Sequence, residues 1–408
     1  MSQPGPVIAV SIGDQAFVAQ ALRQAGLFPI IETDWPEACA AAVELDPAAV
    51  VMAAQDAPAD ALESLALLLA DRQPYVPLIG IDFSADTLPE NVIPFSMLGG
   101  HPERLVARLN SSLRVRSLHA TLMRRLPGSQ QMPSPNGETT RDASVLLIGR
   151  GATHPELSVA LGEEMGVVGA LSIEAAAKHL NTREINGIVL GDGFTERVTD
   201  AFLTVLSEDA RFRNLPVIVA SYHLASSYQL PNLEIVSGSA ARVAAYALPL
   251  IRQNAFEVRL GRMLQSIEAD GLLDPRTGLL TWEAFERDLT RAIRDALAQG
   301  SALSVTRFTF EAERTRVDGA RILSRLMRKT DFGASCPDDL SILAVFTETE
   351  ARAAQGIARR LASVMRHTTY RGQEVQTGPD VATAALLPAD TVDALLSRLR
   401  QGVRRAAS

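Results

Sequence analysis

Arg328 and Asp331 stand three residues apart in the run Arg328-Lys-Thr-Asp331. Arg359 and Arg360 follow in Ile357-Ala-Arg-Arg-Leu361. A guanidinium is a flat fork of donors and a carboxylate carries only acceptors. Together they supply both a donor fork and an acceptor. Arg-x-x-Asp is a loose pattern, and Arg197-Val-Thr-Asp200 repeats it. There it predicts an ion pair on a helix surface, of little energetic weight. For Arg328 and Asp331 the plain alternative is the same, a retained surface pair.

Other candidate chemistry is thinner. Pro337-Asp-Asp-Leu-Ser341 puts Asp338 and Asp339 in a turn, where acidic residues more often serve the turn and the solvent than a cation. The six histidines, His101, His119, His154, His179, His223 and His367, show no metal-ligand spacing and read as packing or surface residues. Cys39 and Cys336 offer at most one bridge and no disulfide framework. Basic residues are nearly all arginine, with lysine only at Lys178 and Lys329. Arg404-Arg405 reads as a solvated end.

The elements that must position these residues alternate in type. Apolar runs at Val7–Ile12, Ala48–Ala53 and Pro77–Ile81 predict strands, and Phe17–Ala25, Leu62–Leu69 and Glu103–Leu113 predict helices. That alternation implies a parallel sheet with helices on both faces, a doubly wound α/β domain over 1–126. The Pro/Gly/Ser-rich stretch Pro127–Thr140 has almost nothing to bury and reads as a linker, 127–142. The pattern then repeats over 143–250, with strands at Ser144–Ile148, Gly187–Leu190 and Leu215–Ala220 and helices at Leu157–Glu164 and Val198–Leu206. Helical spacing from Ala240 to about Glu268 predicts a connecting helix, assigned to 251–272. The last block, 273–408, reads as α+β. Its helices are predicted at Trp282–Gln299, Gly319–Lys329 and Glu350–Arg366, and its strands at Leu303–Phe310 and Ser341–Phe346.

A chain of 408 residues suits two or three such domains. Hydrophobic residues at 47% and charged residues at 21% exclude wholesale disorder and fibrous repeats. A net charge of -8 argues against general binding to nucleic acid, which needs a basic face. With no apolar run near the roughly 20 residues that span a bilayer and no basic leader, the expected location is cytoplasmic.

Asp274-Pro-Arg-Thr-Gly-Leu-Leu-Thr-Trp-Glu-Ala-Phe285 resembles the opening signature of GGDEF domains, matching at Asp274, Thr277, Gly278, Leu279 and Phe285. The stretch Pro337–Ser341 falls where the GGDEF signature itself belongs. With two receiver-like domains in front, the chain resembles PleD-type response regulators, and most of all their degenerate PopA-type paralogues. The resemblance implies two tandem flavodoxin-like receiver domains followed by a nucleotidyl-cyclase-like GGDEF domain. It also implies that Arg328, Asp331 and Arg360 correspond to the family's inhibitory site, which binds cyclic di-GMP, with Arg359 as the alternative if the register moves by one. The residues suit that role, since a guanidinium fork can pair with guanine O6 and N7 while the carboxylate accepts from the opposite edge.

The resemblance further implies what is missing. Receiver chemistry needs an acidic pair to hold Mg²⁺, an Asp nucleophile, a hydroxyl and a lysine. In the first domain these fall near Ser11-Ile12, Ala53, Asp82 and Leu98, with Asp14 or Asp56 within a slip of register. In the second they fall at Gly149-Arg150, Gly191 beside Asp192, Ser221 and Ser237–Ser239, so only Ser221 fits. Diguanylate cyclisation needs two carboxylates on two Mg²⁺ ions and glycines in the turn. Here the strand position is Thr309, with Glu311 two residues on, both glycines are gone, and the guanine-binding segment has no counterpart between Glu311 and Arg328.

The resemblance and the missing residues together imply a chain with no catalytic residues, no metal and no cofactor, whose ligand is cyclic di-GMP. By resemblance it is a dimeric adaptor that works through protein contacts, located at the cell pole and bringing a cell-cycle regulator to a protease. The alternatives are a nucleotide-independent dimerising scaffold and, third, a surviving diguanylate cyclase.

Overall fold

The computed structural model describes residues 5–10, 22–23, 29–54, 57–83, 88–97, 102–126, 142–220, 228–328, 330–337, 339–366, 378–388 and 390–406. The chain divides into two compact units. One comprises Met1–Ala176 with Ile185–Leu260, the other Ala177–Glu184 with Gly261–Ser408.

The first unit holds two parallel sheets. In the first, β1 (Val7–Val10), β2 (Ile30–Thr33), β3 (Ala49–Ala53), β4 (Leu78–Ile81) and β5 (Val92–Phe95) lie in the order β2-β1-β3-β4-β5. Helices α1 (Ala38–Glu44), α2 (Ala59–Ala70) and α3 (Pro102–Arg125) accompany them. In the second, β6 (Ser144–Ile148), β7 (Gly166–Ala170), β8 (Gly187–Leu190), β9 (Val217–Val219) and β10 (Leu233–Ile235) repeat that order, read from the other edge as β7-β6-β8-β9-β10. Its helices are α4 (His154–Gly162), α5 (Ile173–Thr182), α6 (Glu196–Glu208) and α7 (Ala240–Glu268). A second-first-third-fourth-fifth order is the flavodoxin-like doubly wound arrangement. The central strands are apolar on both faces, as a sheet covered on both sides requires.

Both sheets contribute to one apolar cluster. Leu105, Leu109 and Leu113 of α3 join Val243, Ala247 and Leu250 of α7 there. Arg108, fully buried on α3, donates to the carbonyls of Pro94 (2.9 Å) and Pro231 (2.7 Å) and to Glu234 Oε1 (2.8 Å). The Ser96 N–H donates to Glu234 Oε2 at 3.2 Å. Burial lowers the Arg108 pKa and raises that of Glu234, against their mutual attraction.

The second unit holds a mixed helix and antiparallel sheet domain. Strands β11 (Leu303–Thr309), β12 (Phe332–Ser335), β13 (Ser341–Thr347) and β14 (Asp380–Ala385) lie in the order β12-β13-β11-β14. Helices α9 (Glu313–Leu326) and α10 (Ala351–Met365) share one cluster with the sheet, around Phe308, Phe346 and Leu361. Helices α8 (Trp282–Gln299) and α11 (Val392–Ala406) share another, around Phe285, Val305 and Leu395. Thr281 enters α8 in an extended conformation and Gly300 leaves it left-handed at φ 65°. The residues carrying the GGDEF likeness build a turn before α8. Asp274 accepts from the Arg276 N–H and the Thr277 hydroxyl, both at 2.8 Å, and Gly278 takes the φ of 76° that the turn requires.

The short segment Ala177–Glu184 belongs by its contacts to this unit. Arg183 is buried there against Asp318 at 3.1 Å and donates to the Val364 carbonyl. Glu184 lies between Arg262 and Arg321. Burial would raise its carboxyl, and the two guanidinia outweigh burial and hold it below the usual range.

Several expected boundaries move. Helix α9 starts at Glu313, six residues before the expected Gly319, because its first turn is polar and the apolar spacing begins only at Val317. Helix α4 starts at His154 rather than Leu157, with Pro155 in its first turn. Helix α3 runs on to Arg125, past the expected Leu113. The expected edge at 250/251 falls inside the continuous helix α7. The expected helix Phe17–Ala25 lies outside the described residues except for Leu22 and Arg23, and the expected linker 127–142 does so except for Asp142. Cys39 and Cys336 form no disulfide. No helix among the described residues is long and apolar enough to cross a membrane.

Candidate functional site

Helix α9 ends where Met327 turns extended, its N–H still bonded to the Leu323 carbonyl at 3.0 Å. Arg328 comes next and is exposed. The Asp331 N–H then donates to the Arg328 carbonyl at 3.1 Å, closing a turn that leads into β12. Asp331 is fixed from the neighbouring strand, since Oδ1 accepts from the Thr347 N–H at 3.2 Å and has the Thr347 hydroxyl at 3.4 Å. Helix α10 buries Ala354, Ala358, Leu361 and Ala362 and so leaves Arg359 and Arg360 outward.

These elements meet around a cavity of about 250 Å³. Arg328, Asp331 and Arg360 line it, with Phe346, Ile357 and Leu361 among its apolar walls. All three expected residues are brought together, and Arg359 is not on the lining. Among the described residues the side chains of Arg328 and Arg360 have no hydrogen-bond or ion-pair partner, and no ion pair links Arg328 to Asp331. The plain alternative of a surface ion pair is therefore not formed. The cavity presents two uncommitted guanidinia, one oriented carboxylate and an apolar wall, a set able to hold a flat, polar-edged, anionic ligand. Sequence reasoning missed the wall, since Phe346, Ile357 and Leu361 look like ordinary core positions, and it missed Thr347.

The other Arg-x-x-Asp match behaves differently. Among the described residues Arg197 and Asp200 of α6 form no ion pair, contrary to expectation, and Asp200 Oδ1 accepts the Tyr228 hydroxyl at 2.5 Å.

At the β12–β13 hairpin, Thr309 stands opposite Ser341 in register, and their hydroxyl oxygens lie 3.2 Å apart. Arg307, two residues earlier and therefore on the same face of β11, donates to the Ser341 hydroxyl at 3.0 Å and forms an ion pair with Asp339. Its guanidinium occupies the ground between strand and turn, so a divalent cation there would meet a positive charge at close range. The spacing of Arg307 and Thr309 along one strand was the available signal for this. Asp338 lies outside the described residues. Among those described, no three His, Cys, Asp or Glu side chains gather as a metal site.

At the C-terminal edges of the parallel sheets, β3 ends in Ala53 and β8 is followed by Gly191. Asp82 has φ 57°, and its Oδ1 accepts the Met97 N–H at 2.9 Å. Asp192 takes the Thr153 hydroxyl at 2.7 Å, while Arg150 lies over the Phe194 ring. Lys178 sits on α5 and not at a strand end. Ser11, Ile12, Asp14, Asp56, Leu98, Ser221 and Lys329 lie outside the described residues.

No family model matches the chain, and no curated protein does. The solved structures that resemble it include a group of GGDEF domains, each covering about a third of the chain. One is a sensory box/GGDEF family protein from Caulobacter crescentus, 22% identical over 33% of this chain and 97% of that one, with a TM-score of 0.30. The coiled coil and GGDEF domain of DgcB from the same organism, in complex with c-di-GMP, is 15% identical over 36% and 87%, with a TM-score of 0.31. The FimX GGDEF domain from Pseudomonas aeruginosa is 16% identical over 33% and 93%, with a TM-score of 0.30.

Proposed function

We propose that this chain is a non-catalytic receptor for cyclic di-GMP, bound at Arg328, Asp331 and Arg360, and that it acts as an effector or adaptor in bacterial signalling. One observation carries the reading. Two guanidinia and a carboxylate converge on a single cavity, and none of them neutralises another. The chemistry fits a guanine, with the Arg328 fork on O6 and N7, the Asp331 carboxylate on the donors of the opposite edge, and Phe346 and Ile357 supporting the apolar face. Arg360 supplies positive charge for a phosphate. At about 250 Å³ the cavity suits one base and not a whole cyclic dinucleotide, so the remainder of the ligand would lie at its mouth.

A diguanylate cyclase fits less well, because Arg307 and Thr309 stand where carboxylates and Mg²⁺ would be needed. The strand order of both parallel sheets suits receiver domains that have lost phosphoryl chemistry, with Ala53 and Gly191 at the nucleophile positions. On this reading they serve as protein-contact surfaces in a cytoplasmic homodimer with no role for nucleic acid. Likeness to PopA-type proteins extends it to a polar adaptor that brings a cell-cycle regulator to regulated proteolysis.

Calorimetric titration of the full chain with cyclic di-GMP tests the core of this. Saturable heat that disappears in Arg328→Gly and Asp331→Ala is expected, and GTP with Mg²⁺ should yield no pyrophosphate. An absence of heat in the unmodified chain would leave the nucleotide-independent scaffold as the better reading, and steady GTP turnover would restore the cyclase.

A further inference from the structure

We infer that Thr347 is a positioning residue that sets the base selectivity of this cavity by fixing the Asp331 carboxylate, an inference that rests on the cyclic di-GMP reading above. Thr347 closes β13, and its backbone N–H donates to Asp331 Oδ1 at 3.2 Å. Its hydroxyl lies 3.3 Å from the Thr330 carbonyl and 3.4 Å from the same Oδ1. The hydroxyl has one proton to give, so it bonds the turn carbonyl or the carboxylate, and either bond ties the turn to the strand end. Asp331 Oδ2 has no partner among the described residues. Oδ1 is thus committed to the protein, while Oδ2 is the acceptor left for a ligand, in a direction the strand end determines.

An acceptor held in one direction discriminates between ligands, since it rewards a donor at one place and gives nothing where that donor is missing. Guanine presents an imide N–H and an exocyclic amine on that edge. Hypoxanthine presents the imide alone. With Thr347 in place the carboxylate should favour guanine over hypoxanthine. With the hydroxyl removed the turn and the carboxylate regain rotational freedom, and the amine should count for less.

The test is calorimetric titration of the full chain and of Thr347→Val and Thr347→Ser with cyclic di-GMP and with cyclic di-IMP, together with a melting curve for each variant. Expected are tighter binding of cyclic di-GMP by the unmodified chain, a loss of about 3- to 10-fold for that ligand in Thr347→Val, the effect of one hydrogen bond, and a smaller loss for cyclic di-IMP. Thr347→Ser should restore both affinities. Unchanged affinities in Thr347→Val would overturn the assignment with the binding reading intact. So would equal losses for both ligands accompanied by a lowered melting point, which mark a structural role only. If the unmodified chain binds neither dinucleotide, the binding reading fails and this inference with it.

Discussion

Lowering the pH should destabilise the first unit through a single histidine. His119 of α3 is 1% exposed and packs edge-on against Phe256, with ring centroids 5.3 Å apart. Its Nδ1 accepts the Tyr75 N–H at 3.0 Å, which places the ring proton on Nε2, an atom without a partner. Burial, and then the nearby Arg116 guanidinium, pushes its pKa down from 6.5 to about 4. The unfolded chain binds this proton near pH 6.5 and the folded chain only near pH 4. The stability it contributes is therefore complete above pH 6.5 and is lost as the pH falls toward 4. Between pH 7 and pH 5 the shift amounts to about 1–2 kcal/mol. The assay is urea unfolding at the two pH values, followed by the fluorescence of Trp35, a core residue of this unit, in a Trp282→Phe background. His119→Asn keeps an acceptor for the Tyr75 N–H but cannot titrate. The unmodified chain should lose about 1–2 kcal/mol more than His119→Asn over this interval, and equal losses in the two proteins would refute the reasoning.

Arg108→Met should destabilise the same unit by about 3–5 kcal/mol, because it leaves the Glu234 carboxylate buried without its partner. Arg108→Met with Glu234→Leu should recover most of that loss, and the same unfolding assay reports both. Gly319→Ala should cost about 1–3 kcal/mol, since a Cβ there would sit 2.4 Å from the Phe310 ring. Gly356→Ala on α10, where a Cβ meets nothing within 4 Å, should instead stabilise by about 0.5–1 kcal/mol. Thermal melts of the two glycine variants should move in opposite directions.

The strands that sequence reasoning found and those it missed divide along one physical line. β1, β3, β4, β6, β8, β9, β11 and β13 were all legible, and each lies inside its sheet. β2, β5, β7, β10, β12 and β14 were not, and every one is an edge strand. An interior strand needs apolar residues in a continuous run, whereas an edge strand tolerates the residues that hide it from pattern reading. Pro94 interrupts β5, Gly166 and Gly169 dilute β7, Glu234 centres β10, and β12 reads Phe-Gly-Ala-Ser. Helices with firm ends were read to the residue, as in Trp282–Gln299 between Thr281 and the left-handed Gly300. At the candidate site the charged residues were legible by type and spacing. The groups that orient them were not, since Thr347 is an ordinary strand-end threonine until its distance to Asp331 is known.

The second unit shows why the accounting of charge separates its two acidic turns. Arg183, Arg262, Arg307, Arg316 and Arg398 each face a carboxylate of the unit itself, so their charge is used in folding. Arg307 is the instructive member. It stands at the β12–β13 hairpin, and its partner Asp339 belongs to that turn. An exposed arginine without a partner is common on any surface and by itself indicates nothing. Arg328 and Arg360 differ because they come from separate elements, share a cavity with an apolar wall, and leave Asp331 Oδ2 unused beside them. Folding gains no ion pair from that arrangement. A ligand that carries acceptors, donors and a flat face together would complement it, whereas at the hairpin Arg307 already has Asp339.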